Sequence, residues 1–210
     1  MRLNKTIATL IFADLLLYSG WGLFSPIFAI FVTDQIKNGS LEMVGFIVAT
    51  YWLVKSIIQP FLANFLDIKK GEEDDFFSLI LGMTLASFVP LGYFFATNLF
   101  HVFFLEAIRG VAMACVVPSW YGIFTRHINK DWYAFSWSVH STALGVMLGF
   151  SAAFGGIIAV LLGFRVLFIV VSLLGFSGVL TLLYVRKRIL SDEFQNSSFF
   201  SSKDFENKDS

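Results

Sequence analysis

Apolar residues run along this chain in six long blocks, at about 7–33, 41–66, 76–97, 99–125, 133–162 and 166–184, with short polar breaks between them. Each block reaches the ~20 residues that cross the hydrocarbon core of a bilayer. Lipid offers the backbone no hydrogen-bond partner, so continuous runs of this length predict helices and not barrel strands. The expected fold is all-α and integral to the membrane, with six transmembrane helices. The first run follows Arg2 and Lys5 in the manner of a signal peptide, but it is long and lacks a small-residue cleavage site. It is expected to stay attached as the first helix. From 189 to 210 the chain turns to Ser, Asn, Asp and Lys with scattered Phe, too polar to insert, so residues 1–188 read as the bundle and 189–210 as a disordered cytoplasmic tail.

Polar positions inside the runs are few, and they recur at helical spacing. Glu106 and Arg109, three residues apart in the fourth run, share a helix face and can partner each other. An unpaired charge at that depth costs from about 2.5 to over 10 kcal/mol, so such residues pair or face a watery cavity. In the first run Asp14, Tyr18, Trp21 and Ser25 draw one polar and aromatic stripe. Tyr51, Lys55 and Gln59 do the same in the second, and Ser136 and His140 in the fifth. Runs three and six carry no mid-run charge. At about 1.5 Å per residue, Asp14 lies ~12 Å and Lys55 ~16 Å from the cytoplasmic edge, which predicts a second ion pair between adjacent antiparallel helices. Two compensated pairs could serve only to hold helices in register. The functional reading exposes some of them to a cavity, where Asp14, Tyr18, Trp21, Lys55, Gln59, Glu106, Arg109 and His140 bind a small solute or a coupling ion. His140 could relay a proton or sit as a neutral, hydrogen-bonded imidazole.

Composition agrees with the pattern and adds an orientation. The chain is 57% hydrophobic and 14% charged, against about 25% charged for a soluble domain. Arg2, Lys5, Lys69, Lys70, Arg126, Lys130, Arg186, Lys187 and Arg188 fall on one side of the runs, and only Lys37 and Arg165 on the other. The positive-inside rule then puts both termini in the cytoplasm, and the expected location is the plasma membrane. Glu72, Glu73, Asp74 and Asp75 weigh little in that rule and suit the N-terminus of the third helix, where capping accounts for them. No basic stripe outside the membrane edges points to nucleic acid. The lone Cys115 rules out an intrachain disulfide. Neither a nucleophile–base pair, nor metal-ligand spacing, nor a phosphate-cradling loop is present, so no enzyme activity, cofactor or metal is expected.

The chain also repeats itself. PIFAIFVTDQI at 26–36 aligns with PSWYGIFTRHI at 118–128, sharing Pro, an aromatic two places on, Thr and the final Ile. Three helices separate the copies, and an odd number inverts a repeat in the membrane, the pattern of secondary transporters. Around the second loop the chain reads QPFLANFLDIKKGEEDDFF, and the fourth run places Glu106, Arg109, Gly110 and Pro118 in order. These motifs resemble the N-terminal six-helix half of the major facilitator superfamily. Ala63 stands where that family usually has Gly, Glu106 where it often has Arg, and Arg109 where it often has Gln.

The resemblance implies two inverted three-helix repeats and a cavity walled by helices one, two, four and five. It also implies a cytoplasmic latch at Asp67, Lys69, Lys70 and Gly71. Gly145, Gly149, Gly155 and Gly156 loosely resemble the glycine-rich fifth helix of family antiporters, and their spacing suits close helix packing. Family members normally place two six-helix halves around the cavity, so the implied function is secondary transport of a small solute with a second half as partner, either another copy or a related chain. The alternative is a non-transporting interaction or regulatory protein built on one such half.

Overall fold

The computed structural model describes residues 5–69, 72–128 and 130–206, with side chains over 5–68, 72–128 and 131–186. Among them the elements are helical. Helix α1 (Lys5–Phe24) passes through a 3-10 turn at Ser25–Ile27 into α2 (Phe28–Gln35). Pro26 sits in that turn, where its missing N–H and fixed φ break the α-helical ladder. Helices α3 (Leu41–Lys69), α4 (Glu72–Phe95) and α5 (Leu99–His127) follow, then a 3-10 turn at Lys130–Trp132 and α6 (Tyr133–Glu206). Pro60, Pro90 and Pro118 stay inside their helices, as membrane helices tolerate when neighbours satisfy the freed carbonyl.

Among the described residues, five helical stretches are long and apolar enough to cross a membrane: Lys5–Gln35, Leu41–Ile68, Glu72–Phe95, Leu99–His127 and Tyr133–Arg186. The last differs from the others. Its 54 residues would measure about 80 Å as one straight helix, far beyond a ~30 Å hydrocarbon core. At Gly163 the backbone leaves the helix, with φ 82° and ψ 163°, a conformation open almost solely to glycine. Contacts along α1 show what the break does. Before it, His140 meets Asp14 and Gly155 abuts Leu23. Beyond it, Phe168 packs on Phe24 with ring centroids 5.1 Å apart and Gly178 lies against Ala13. The first half of α6 therefore runs parallel to α1 and the second half antiparallel.

Helix α1 packs chiefly on both halves of α6, α3 on α5, and α4 on α5 and α6. The core between them is aromatic: Phe24, Phe31, Tyr93 and Phe168 meet edge-on or tilted at 5.0–5.8 Å between centroids, geometry that adds to their area burial. At Gly110 a Cβ would lie 2.9 Å from the Tyr51 carbonyl oxygen, so only glycine lets α3 approach α5 this closely. That approach fixes the depth and phase of Tyr51 and Lys55. At one end of the bundle Lys37 N donates to Thr97 O at 3.1 Å, and the Asn98 side chain caps α5 by accepting from His101 N at 3.1 Å.

Candidate functional site

Glu106 and Arg109 leave α5 on one face and meet, with Arg109 Nη1 at 3.1 Å from both carboxylate oxygens. The Tyr93 hydroxyl, arriving from α4, also donates to Glu106 Oε1. The Glu106 side chain is only 1% exposed, whereas that of Arg109 is 23% exposed. Burial makes this compensation necessary, since a buried carboxylate without partners costs several kcal/mol. The guanidinium is clasped between the rings of Trp21 and Tyr51, 3.9 and 4.3 Å from their centroids, and planar cations stack well on such faces. Sequence spacing announces the acid–base pair. It gives no sign of Tyr93, which lies in a run without charges and reaches the pair only through tertiary packing.

These groups form one wall of a cleft of about 450 Å³, lined also by Tyr18, Trp52 and Lys55. Its volume is that of a small-molecule site. Lys55 rests with Nζ 4.9 Å from the Trp52 ring centroid. Trp52 was not a candidate from the sequence, because on a helix it falls outside the Tyr51–Lys55 stripe; the structure finds it exposed beside the cleft mouth. Gln59, one turn beyond Lys55, is half-buried and is not among the lining residues.

Asp14 does not pair with Lys55 as its depth suggested. Its Oδ2 lies 2.8 Å from His140 Nε2, and the physical reason is helix adjacency: α1 packs on α6, whereas α3 packs on α5. Depth along a helix places a residue at a level but not beside a neighbour. Asp14 and His140 instead line a separate pocket of about 60 Å³. There Trp120 packs on the imidazole at a tilt of 32°, 4.4 Å between centroids, and its indole N–H donates to Leu10 O at 3.3 Å. Tyr18 lines both the pocket and the cleft, so it is the side chain that joins the two polar sites.

A third polar group lies at the membrane edge. Arg126 at the end of α5 pairs with Asp75 and lies 3.6 Å from Glu72, and His127 Nδ1 lies 3.1 Å from Glu72. Capping was expected to account for the acids that open α4. Glu72 and Asp75 also staple α4 to α5, and both are buried. Asp67 lines a cavity of about 420 Å³ together with Asp75 and Arg126. Lys70 and Gly71 of the expected latch lie outside the described residues, as does the side chain of Lys69.

The four glycines of the first half of α6 divide. Gly155 meets the Leu23 backbone so closely that no Cβ would fit, whereas a Cβ at Gly145, Gly149 or Gly156 would meet nothing within 4 Å. Only Gly155 packs a helix within the described chain. Among the described residues no three His, Cys, Asp or Glu side chains converge as a metal site.

The geometry therefore holds two polar sites at membrane depth, a charged aromatic cleft and an Asp–His pocket, in a bundle of long apolar helices. No curated protein matches the sequence closely enough to count as a relative. The family model of the Major Facilitator Superfamily matches residues 10–202. This chain belongs to that superfamily, and is thus an integral membrane protein of the major facilitator type of transporter.

Proposed function

We propose that this chain forms one six-span bundle of a secondary active transporter for a small solute, with the cleft at Glu106 and Arg109 as half of the solute path. The break at Gly163 and the opposed course of the two halves of α6 support counting Tyr133–Arg186 as two spans. Three spans on each side of the loop between α4 and α5 then form the two inverted repeats. A second bundle, from another copy or a related chain, supplies the facing wall, and rocking of one bundle on the other exposes the cleft alternately to each side. Both termini face the cytoplasm of the plasma membrane, and Asp67 with the loop after it latches the bundles there.

One observation carries this reading: a paired Glu106–Arg109 that is buried on its carboxylate side and open on its guanidinium side, in a cleft of solute size. A pair serving only to hold helices in register has no need of an exposed face. The test is solute uptake into proteoliposomes, driven by a pH gradient, across a chemically broad panel. The intact protein is expected to accumulate at least one solute, and Arg109→Ala to abolish it. Because that variant strands a buried carboxylate at a cost of about 3–5 kcal/mol, the double variant Glu106→Gln/Arg109→Gln serves as the folded control that should also be inactive. Uptake undiminished in a folded double variant would refute the assignment.

A further inference from the structure

The charges that line the cleft do not cancel, and the remainder narrows what can occupy it. Glu106 is spoken for: it is buried, and its oxygens accept from Tyr93 and from Arg109 Nη1. The remaining edge of the Arg109 guanidinium, which reaches the cleft, has no acceptor among the described residues, and Nε is buried without a partner. Lys55, half-buried on the same wall, has only the Trp52 ring beside it and no carboxylate among the described residues. Asp14, the acid that could have balanced it, is held by His140 on the far side of Tyr18. Lys55 and Arg109 against Glu106 leave the cleft one positive charge in excess. An unpaired cation within a span is costly to hold away from water, and a bound anion offsets that cost.

We propose that the cleft binds an organic monoanion, a carboxylate or phosphate diester anion on an aromatic or alkyl body. This inference rests on the reading of the cleft as a solute site. The anionic head lies between Lys55 and the free edge of Arg109, where charge-assisted hydrogen bonds are strongest. The body lies along Trp21, Trp52 and Phe28, the apolar part of the lining. A cation would meet two like charges there, and a neutral solute would leave Lys55 unpaired. An anionic lipid headgroup offers the same chemistry as a free solute, so the test separates the two sources.

The full chain, in nanodiscs of phosphatidylcholine alone, is dialysed to equilibrium against radiolabelled phenylacetate, phenylacetamide and phenethylamine, which share a body and differ in charge. Phenylacetate is expected to bind at least tenfold tighter than the amide, with the amine weakest. Lys55→Gln should erase that preference and Lys55→Arg should keep it. Binding of the amide or the amine as tight as that of phenylacetate, lost in the charge-neutral double variant Glu106→Gln/Arg109→Gln, overturns the anion inference and leaves the cleft a solute site. Binding of none of the three sinks both readings. A second set of nanodiscs adds phosphatidylglycerol: displacement of phenylacetate by that lipid, with the displacement gone in Lys55→Gln, assigns the anion to a headgroup. Phenylacetate binding indifferent to the lipid assigns it to a soluble solute.

Discussion

Tyr93 shows how much one side chain outside any sequence pattern can matter. Its hydroxyl donates to Glu106 in the middle of the aromatic core, and a hydrogen bond to a buried carboxylate contributes about 1.5–3 kcal/mol. Tyr93→Phe is expected to lower stability by that amount, read as a drop in the thermal midpoint in a fixed detergent. It also removes one of the two partners that hold Glu106, so solute affinity should fall while the fold survives. A variant with unchanged midpoint and affinity would show that the Tyr93–Glu106 contact carries neither. The residues at the heart of the site divide by how they reach it. Glu106 and Arg109 are legible from the sequence because helical spacing alone puts them together. Asp14 and His140 are each legible as polar positions at depth, but 126 residues separate them, and only tertiary packing makes them a pair. The same packing undoes the Asp14–Lys55 pair, since α3 lies against α5 and not against α1.

Apolar length marks in the sequence the five long helical stretches found among the described residues, because a bilayer sets how long a helix must be. What spans cannot show is which faces meet, and glycine is where that becomes visible. Gly163 holds a positive φ that other residues adopt at a cost of about 1–3 kcal/mol. Gly163→Ala should lower the thermal midpoint accordingly, and an unchanged midpoint would mean that the reversal there does not depend on glycine. Gly155 and Gly149 occupy one helix with identical propensity but opposite surroundings, one against the Leu23 backbone and one open. Gly155→Leu is expected to prevent normal folding, scored by loss of a monodisperse peak in size-exclusion chromatography. Gly149→Leu should stay within about 0.5 kcal/mol of the parent, as exposed substitutions do. Equal effects from both would contradict the packing of α1 on α6. The acids that open α4 were legible as helix caps by charge and position alone. Their pairing with Arg126 and His127 needed the return of α5 to the same membrane edge.

At the scale of the whole molecule the charges divide into a membrane-edge staple and two sites at depth. The staple predicts its own phenotype: Arg126→Ala strands Asp75 while Glu72 keeps His127, and should cost up to about 3–5 kcal/mol in proportion to the burial of Asp75. If thermal unfolding of that variant matches the parent, the staple is ornamental. A solute path through the cleft requires that it hold water or solute and not acyl chains. Ser25, exposed and lining the cleft, reports on this directly. In a Cys115→Ser background, Ser25→Cys is compared with Leu81→Cys on the outer surface of α4, where Leu81 is 51% exposed. Both are treated in proteoliposomes with a membrane-impermeant methanethiosulfonate, whose reaction requires a hydrated thiolate. Labelling is expected to be rapid at 25, slowed by bound solute, and negligible at 81. Labelling at 25 as slow as at 81, with or without solute, would show the cleft filled with lipid and contradict a solute path through it.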